Sequence, residues 1–207
     1  MAVDTEEEQI EKIEQIWRRY KKLIISGVII FLTSYFSYDY YSNQKTKNAE
    51  KASQLYQEIL IEKVSNISLI KDKVFLLKEN AGNTPYASRA AIYLSKLYSE
   101  EKKYKEAIEE LIWATENAIE DSILSMAYYL LANVYYVTDK LDEAMSAAKE
   151  IKTVGYQMLA KDIIGDIYLK QGNKQKAKES YLEGLKLYKG QGDIRKVLQN
   201  KIDSIGQ

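Results

Sequence analysis

The sequence predicts an all-α fold in which one apolar helix near the N-terminus is followed by an array of antiparallel helix pairs. One proline and nine glycines in 207 residues are too few for the turns of a many-stranded β-sandwich or barrel. A set of aliphatic, small and tyrosine residues also recurs three times, at separations of 37 and 33 residues. These separations are typical of repeats built from two helices.

Composition excludes several classes of function. The chain contains no histidine and no cysteine, so the commonest general base, every thiolate nucleophile and the usual ligands of zinc, haem and iron–sulfur sites are missing. Its 30 basic and 30 acidic residues leave no positive excess for binding nucleic acid. We therefore expect no enzymatic activity, catalytic residue, cofactor, metal ion or nucleic-acid partner. A hydrolase or transferase that uses Asp, Glu and Lys is the alternative.

The uncharged run Leu23–Tyr38 is the candidate membrane anchor. As a helix it spans about 24 Å at roughly 1.5 Å per residue. Adding Tyr20, Tyr40 and Tyr41 predicts a transmembrane helix over 20–41, about 30 Å long, with aromatic rings at both membrane interfaces. The anchor residues are Leu23, Ile24, Ile25, Val28, Ile29, Ile30, Phe31 and Leu32.

A buried core helix and a cleavable signal peptide are the alternatives to a retained anchor. The run is apolar on all sides, unlike most core helices, and it follows a long charged segment and precedes no Ala-x-Ala site. The basic residues on its two sides favour a cytoplasmic N-terminal segment, 1–19, and a periplasmic domain if the source is a Gram-negative bacterium. These residues are Lys12, Arg18, Arg19, Lys21 and Lys22 before the run and Lys45, Lys47 and Lys51 after it.

Residues 42–82 are predicted to form amphipathic linker helices. Apolar residues recur at helical spacing from Ala49 to Val64 and again from Ile67 to Leu77. A new helix is then predicted to begin at Pro85, because proline lacks only an N–H that the first helical position does not use. Thr84 is its predicted N-cap.

The recurring segments predict three helix pairs, over about 88–119, 125–155 and 158–188. Small residues at the eighth and twentieth positions let helices approach closely, while the seventh and eleventh positions fill the seam between them. These offsets are those of tetratricopeptide repeats (TPR), so 83–189 is predicted to be a TPR-like α-solenoid. A generic array of helical hairpins is the alternative. The packing residues are Leu94, Tyr98, Ala107, Leu131, Ala132, Tyr135, Ala144, Ile164, Gly165, Tyr168, Gly172 and Ala177.

A capping helix is predicted over 190–207, because a repeat array needs a polar end. Gly190 and Gly192 are expected to end the last repeat, and Asp193 to cap the final helix. The residues expected to face the third repeat are Ile194, Val197, Leu198, Ile202 and Ile205.

The candidate binding surface is a strip on the first helix of the second repeat. In a TPR, the second, fifth, ninth, twelfth and thirteenth positions of this helix line the concave face. Tyrosine and methionine there offer contact area without requiring one partner sequence. The alternative is that the first repeat, or the helix before it, covers the strip. We name these residues the tyrosine strip: Met126, Tyr129, Asn133, Tyr136 and Val137.

The order of these parts resembles the YfgM-like family of bacteria, whose members are ancillary subunits of the Sec translocon. An acidic start precedes Trp-Arg-Arg-Tyr-Lys-Lys and one span, and Asn-Thr-Pro-Tyr-Ala precedes the three repeats and a final Lys-Val-Leu-Gln-Asn-Lys-Ile-Asp. The resemblance extends over essentially the whole chain. It is closest in Ala87–Ala114, Ile151–Tyr156, Gly165–Gly184 and Leu198–Ile202.

The resemblance implies a single-pass inner-membrane protein with a periplasmic TPR domain. Its implied partners are the SecYEG translocon and a membrane-anchored periplasmic chaperone of the PpiD type, and it would receive or hand on exported polypeptides. We interpret the protein as a non-enzymatic interaction scaffold. A membrane-tethered scaffold for another envelope assembly, such as cell-division or pilus machinery, is the alternative, and a purely structural oligomeriser is a further one. The sequence leaves the oligomeric state open.

Overall fold

The structure, a computed structural model, describes residues 6–188 and 193–205, and within them it is helical with no strand. This confirms the predicted all-α class. The chain divides into two compact units, one extending to Asn48 and the other beginning at Ala49. The helices are α1 Glu6–Ile61, α2 Ile67–Ala81, α3 Pro85–Glu100, α4 Tyr104–Asn117, α5 Asp121–Val137, α6 Leu141–Lys149, α7 Val154–Lys170, α8 Lys174–Leu187 and α9 Asp193–Ile205, with a 3₁₀ turn at Val64–Asn66.

The first unit consists of the N-terminal part of α1, which presents an unburied apolar surface. In the part of the chain that the structure describes, α1 is the helix long and apolar enough to cross a membrane. The predicted anchor residues are exposed, from 43% at Ile24 to 72% at Leu23, which does not support a buried core helix. The hydroxyls of Ser26 and Thr33 donate hydrogen bonds of 2.7 Å to the carbonyls of Lys22 and Ile29. These side chains are therefore satisfied within the helix, as a lipid environment requires.

The second unit is a series of helix pairs. Helices α3 and α4, α5 and α6, and α7 and α8 pack against one another, and α9 packs on α8. The predicted linker helices also join this series, because Ala52 and Ile59 of α1 share a buried cluster with Ile70 of α2 and Leu94 of α3. The first helix of each pair begins a few residues before the predicted repeat, at Pro85, Asp121 and Val154.

Small residues lie where the helices of a pair approach. The twentieth-position alanines, Ala107, Ala144 and Ala177, are fully buried. At the eighth position Ser95, Ala132 and Gly165 are also buried. The larger seam residues differ in depth: Leu94, Tyr98 and Leu131 are buried, whereas Tyr135, Ile164 and Tyr168 are half-buried against the core clusters.

Gly172 has a different role from the predicted packing role. It is exposed in the turn between α7 and α8 at φ +80°, and a Cβ there would contact nothing within 4 Å. In the preceding pairs the equivalent turn positions are occupied by Lys102 (φ 60°) and Asp139 (φ 65°). After each of these residues the next N–H donates to the carbonyl five residues back, as in a Schellman motif. Gly172 is therefore a turn residue whose left-handed backbone suits glycine.

Two end predictions are corrected. Pro85 is the first residue of α3 as predicted, but the Thr84 hydroxyl donates backward to the carbonyl of Ala81 (2.7 Å) and does not cap the helix. On α9, Leu198 and Ile202 are buried and Ile205 packs beside them, whereas Val197 is 48% exposed. The predicted break at Gly190 and Gly192 and the side chain of Ile194 lie outside the described residues.

A hydrogen-bonded contact joins α5 to the start of α7. Ser125 Oγ donates to Thr153 Oγ1 (2.9 Å) and accepts from the Thr153 N–H (3.2 Å), while Thr153 Oγ1 donates to the carbonyl of Asp121 (2.9 Å). Ser88 is the equivalent residue of the first pair and is buried to a similar degree. Among the described residues, however, its hydroxyl is buried without a hydrogen-bond partner.

We predict opposite effects for alanine at these two positions. Ser88→Ala removes an unpaired buried hydroxyl and should raise the free energy of unfolding by about 1 kcal/mol. Ser125→Ala leaves Thr153 N–H without its acceptor and should lower it by roughly 1–2 kcal/mol. Urea unfolding of the full chain in detergent, followed by circular dichroism, measures both. Equal losses of stability in the two variants would contradict the assignment of Ser88 as unpaired.

Candidate protein-binding surface

Helix α5 places the tyrosine strip along one side. Its buried side packs into the core through Ser125, Ala127, Leu131, Ala132 and Val134. Strip residues recur at spacings of three, four and seven, which brings them to a common face of a helix. Met126, Tyr129, Asn133 and Tyr136 are half-buried, and Val137 is 57% exposed.

One end of the strip opens onto a cavity of about 270 Å³ between α3 and α5. Asn133 and Val137 line it from α5, and Lys96 and Ser99 line it from α3. The Asn133 Nδ2 donates to the carbonyl of Tyr129 (2.7 Å), so the amide orientation is fixed within its own helix. This end therefore presents apolar surface, one amide and one lysine to the cavity.

The other side of the strip is covered in part by the next repeat. Lys170 of α7 lies over the ring of Tyr136, with its Nζ 4.8 Å from the ring centre. The same Nζ donates to the carbonyl of Tyr136 (3.1 Å) and pairs with Asp139 (2.8 Å). Tyr136 and Met126 also pack against the core cluster. Lys170 therefore covers the strip at Tyr136, whereas Val137 remains exposed.

In the third repeat the corresponding positions hold two aspartates, which α9 occupies. Lys201 Nζ bonds Asp162 at 2.6 Å and both carboxylate oxygens of Asp166 at 2.8 Å. Burial acts to lower the pKa of Lys201, but the two carboxylates outweigh it and raise that pKa. Lys201 of the same chain thus occupies these acidic positions, so this part of the third repeat is not free for a partner.

Tyr181 lies beneath this ion pair. Its fully buried ring occupies the space beside Gly165, and its hydroxyl donates to Asp166 (2.6 Å). Burial, together with the neighbouring Asp166, raises the pKa of Tyr181 above its ordinary value. The group is therefore a protonated hydrogen-bond donor that positions the carboxylate facing Lys201.

Adjacent carboxylates elsewhere are engaged in ion pairs. Within the described residues there is also no group of three or more His, Cys, Asp or Glu side chains that could hold a metal ion. Glu100 pairs with Lys96 at 3.9 Å, Glu101 with Lys103 at 2.7 Å, Glu109 with Lys105 at 4.0 Å, and Glu110 with Lys78. This arrangement favours a solvated surface over an acid–base pair.

Sequence reasoning missed several residues that shape the surface. Lys170 and the Asp162–Asp166–Lys201 group act across different helices, and their ion pairs join residues 31 to 39 positions apart in the sequence. The spacing within a single repeat carries no signal for such contacts. The strip residues were found because they share one helix.

Comparison with known proteins gives a consistent family. A model of the tetratricopeptide repeat-like domain matches residues 14–207. An ancillary SecYEG translocon subunit of Aggregatibacter actinomycetemcomitans is 28% identical over 182 residues, covering 87% of this chain and 89% of that protein. Proteins of the same name from Neisseria gonorrhoeae (24% identical, 99% of this chain and 100% of that protein) and Escherichia coli K12 (22% identical, 88% of each) also match. The resemblance stated from the sequence is confirmed.

Solved structures identify the same fold. Two crystal structures of nearly identical TPR-like repeats from a Podosopora anserina kinesin light chain protein superpose with TM-scores of 0.57 and 0.55. Both are 14% identical to this chain and cover 78% of it, and the match covers 84% and 85% of those chains. The predicted TPR-like solenoid is confirmed.

We predict that stability falls at alkaline pH and that Tyr181 contributes to the fall. Its pKa is raised in the folded state, so above about pH 10 the unfolded chain loses a proton that the folded chain keeps. The free energy of unfolding should therefore decrease from about pH 10 upward and be independent of this group below that pH. Tyr181→Phe should lower stability at pH 7 by about 1 kcal/mol but reduce the alkaline slope. Urea unfolding between pH 7 and 11 measures both, and an unchanged slope would contradict the prediction.

Proposed function

The chain belongs to the tetratricopeptide repeat-like family, and we propose that it is a non-enzymatic, membrane-anchored interaction scaffold ancillary to the SecYEG translocon. One observation carries the proposal: the similarity to an ancillary SecYEG translocon subunit extends over the apolar helix as well as the repeats. For the Neisseria gonorrhoeae protein it covers 99% of this chain and 100% of that protein. A match to the repeats alone would support only a generic TPR scaffold.

Residues 20–41 of α1 form the inner-membrane anchor in this proposal. Their exposed apolar side chains suit contact with lipid or with an apolar helix of a membrane partner. The basic residues before the span favour a cytoplasmic N-terminal segment and periplasmic repeats, and this orientation is part of the proposal. The predicted ranges are a cytoplasmic segment 1–19, linker helices 42–82, repeats 83–189 and a cap 190–207.

The tyrosine strip is the proposed binding surface for a PpiD-type membrane-anchored chaperone, for exported polypeptides, or for both. Tyr129 and Val137 supply apolar contact, and Asn133 and Lys96 border the adjoining cavity with polar groups. Such a surface recognises extended or incompletely folded chains without requiring one sequence. Confinement of both proteins to one membrane raises their effective concentration, so weak contacts suffice.

A tethered scaffold for another envelope assembly remains the second candidate. The anchor and the repeat array support it equally well, because neither feature by itself specifies a partner. The identity of the proteins that contact the anchor separates the two proposals.

We predict distinct cross-linked partners for the anchor and the strip. A photo-crosslinking phenylalanine derivative is placed at Val28 or at Tyr129 of the full chain in its host, and adducts are identified by mass spectrometry. Val28 should yield SecYEG subunits, and Tyr129 should yield the chaperone or exported polypeptides. Phe75 of α2, an aromatic residue 60% exposed outside the strip, is the matched control. Reproducible adducts with division or pilus proteins and none with SecYEG would favour the second candidate.

We also predict that alanine on the strip weakens binding without unfolding the array. Tyr129→Ala combined with Val137→Ala should weaken binding of the purified chaperone by roughly tenfold, because aromatic and apolar contact is lost. Tyr128→Ala is the control, since Tyr128 packs against the core one residue away from the strip. Binding to the full chain in detergent is measured by fluorescence anisotropy. If the double variant loses stability but keeps its affinity, the strip is a packing surface.

A further inference from the structure

Helix α6 is shorter than the equivalent helices of the neighbouring pairs. It comprises 9 residues, whereas α4 and α8 each comprise 14. The chain leaves α6 at Lys149 and enters α7 at Val154, held there by the Thr153 contacts with α5. The side of α7 that a longer α6 would cover is therefore left open.

An elongated groove lies at this position, with α7 as its floor and α6 and α8 as its walls. It consists of two adjoining cavities of about 500 Å³ and 360 Å³ that share Lys149, Lys161, Ile164 and Glu183. We name it the lysine groove. Each cavity lies within the range of roughly 300–1,000 Å³ that is typical of binding pockets.

The floor of the lysine groove is apolar. Ala160 and Ile164 of α7 line it, and Ala148, Ile151 and Leu187 continue this apolar lining onto the walls, with Leu187 40% exposed. This surface favours apolar side chains over a purely ionic ligand, because hydrated groups would lose water there without gaining hydrogen bonds.

The rim of the groove carries an excess of positive charge. Lysines 149, 161, 176 and 186 line the two cavities, together with Glu179 and Glu183. Glu183 is paired with Lys161 at 2.5 Å, and Glu179 accepts a hydrogen bond of 2.7 Å from Gln175. In the described part of the chain, Lys149, Lys176 and Lys186 have no carboxylate within ion-pair distance.

We propose that the lysine groove docks an acidic amphipathic segment of a partner protein. Apolar side chains of that segment contact the floor between α6 and α8, and its carboxylates pair with Lys149, Lys176 and Lys186. Charge complementarity selects this occupant, since a basic segment meets three uncompensated lysines and a neutral one leaves them unpaired. The groove involves α6 and α8, and its lining shares no residue with the tyrosine strip on α5, so the two surfaces can be tested independently.

The experiment measures binding of three designed peptides to the full chain in detergent. The peptides are fluorescein-labelled, ~15 residues long and helical, with leucines at one face and Glu, Gln or Lys at the remaining positions. At low salt the Glu peptide should bind at least ~10-fold more tightly than the Gln or Lys peptide. Raising the salt concentration to ~0.5 M should remove most of this preference.

Charge-reversal variants locate the binding. Lys149→Glu combined with Lys186→Glu should weaken binding of the Glu peptide by roughly tenfold and improve that of the Lys peptide. Lys71→Glu combined with Lys105→Glu is the matched control, because it changes net charge equally at exposed sites on α2 and α4. Leu187→Ser should weaken binding of the Glu peptide and leave the salt dependence of that binding unchanged, because only apolar contact is lost. Absence of binding, equal affinity for the three peptides, or equal loss in the control variant would overturn the proposal.

Discussion

The repeat array depends on close approach of the two helices within each pair, and this is tightest between α7 and α8. A Cβ at Gly165 would lie 2.3 Å from the ring of Tyr181, so only glycine leaves room for that ring. With the ring seated there, the tyrosine hydroxyl bonds Asp166, and Asp166 in turn holds Lys201 of α9. The position of the capping helix is therefore set by the absence of one methyl group two helices away. In the preceding pairs the same position holds Ser95 and Ala132, which are also buried.

Two surfaces remain open to a partner, and they arise in different ways. Lys201 occupies the acidic positions of the third repeat. Lys170 lies over Tyr136, so the exposed end of the tyrosine strip is at Val137. The lysine groove arises differently, from a helix that ends early. The tyrosine strip is thus limited by a side chain of the next repeat, whereas the lysine groove is open because α6 is short.

Much of the fold could be predicted from the sequence, because its determinants are local. Three features act within one helix or one turn, so their spacing in the sequence is enough to predict the structure. They are the small residues at fixed offsets, the uncharged run before them, and Pro85. The order of parts also indicated the family, which the matches to translocon subunits confirm. Gly172 is wrongly predicted as a packing residue because its place in the repeat does not distinguish packing from a turn, a difference that lies in its φ angle of +80°.

What could not be predicted is the set of contacts between repeats. Thr84 is predicted to be an N-cap, but its hydroxyl donates to the carbonyl of Ala81 and its oxygen accepts no N–H of α3, an orientation that depends on how α2 ends. The early end of α6 and the pairing of Asp162 and Asp166 with Lys201 depend on the packing of three helices at once. The residues of the tyrosine strip could be predicted from the sequence of α5 alone. Their coverage by Lys170 could not, because that lysine belongs to α7.

The ion pair between α7 and α9 also has a consequence for the order of folding. The extensive helix contacts in the second unit join elements that are neighbours or next neighbours in the chain, so the array has low contact order and each pair can form as soon as it is synthesised. The two aspartates of α7 pair with a lysine of the next-neighbour helix α9, 35 to 39 residues further on. Until α9 emerges from the ribosome, these two half-buried carboxylates face each other without that cation. An array that includes α9 is therefore distinguished electrostatically from one that stops at α8.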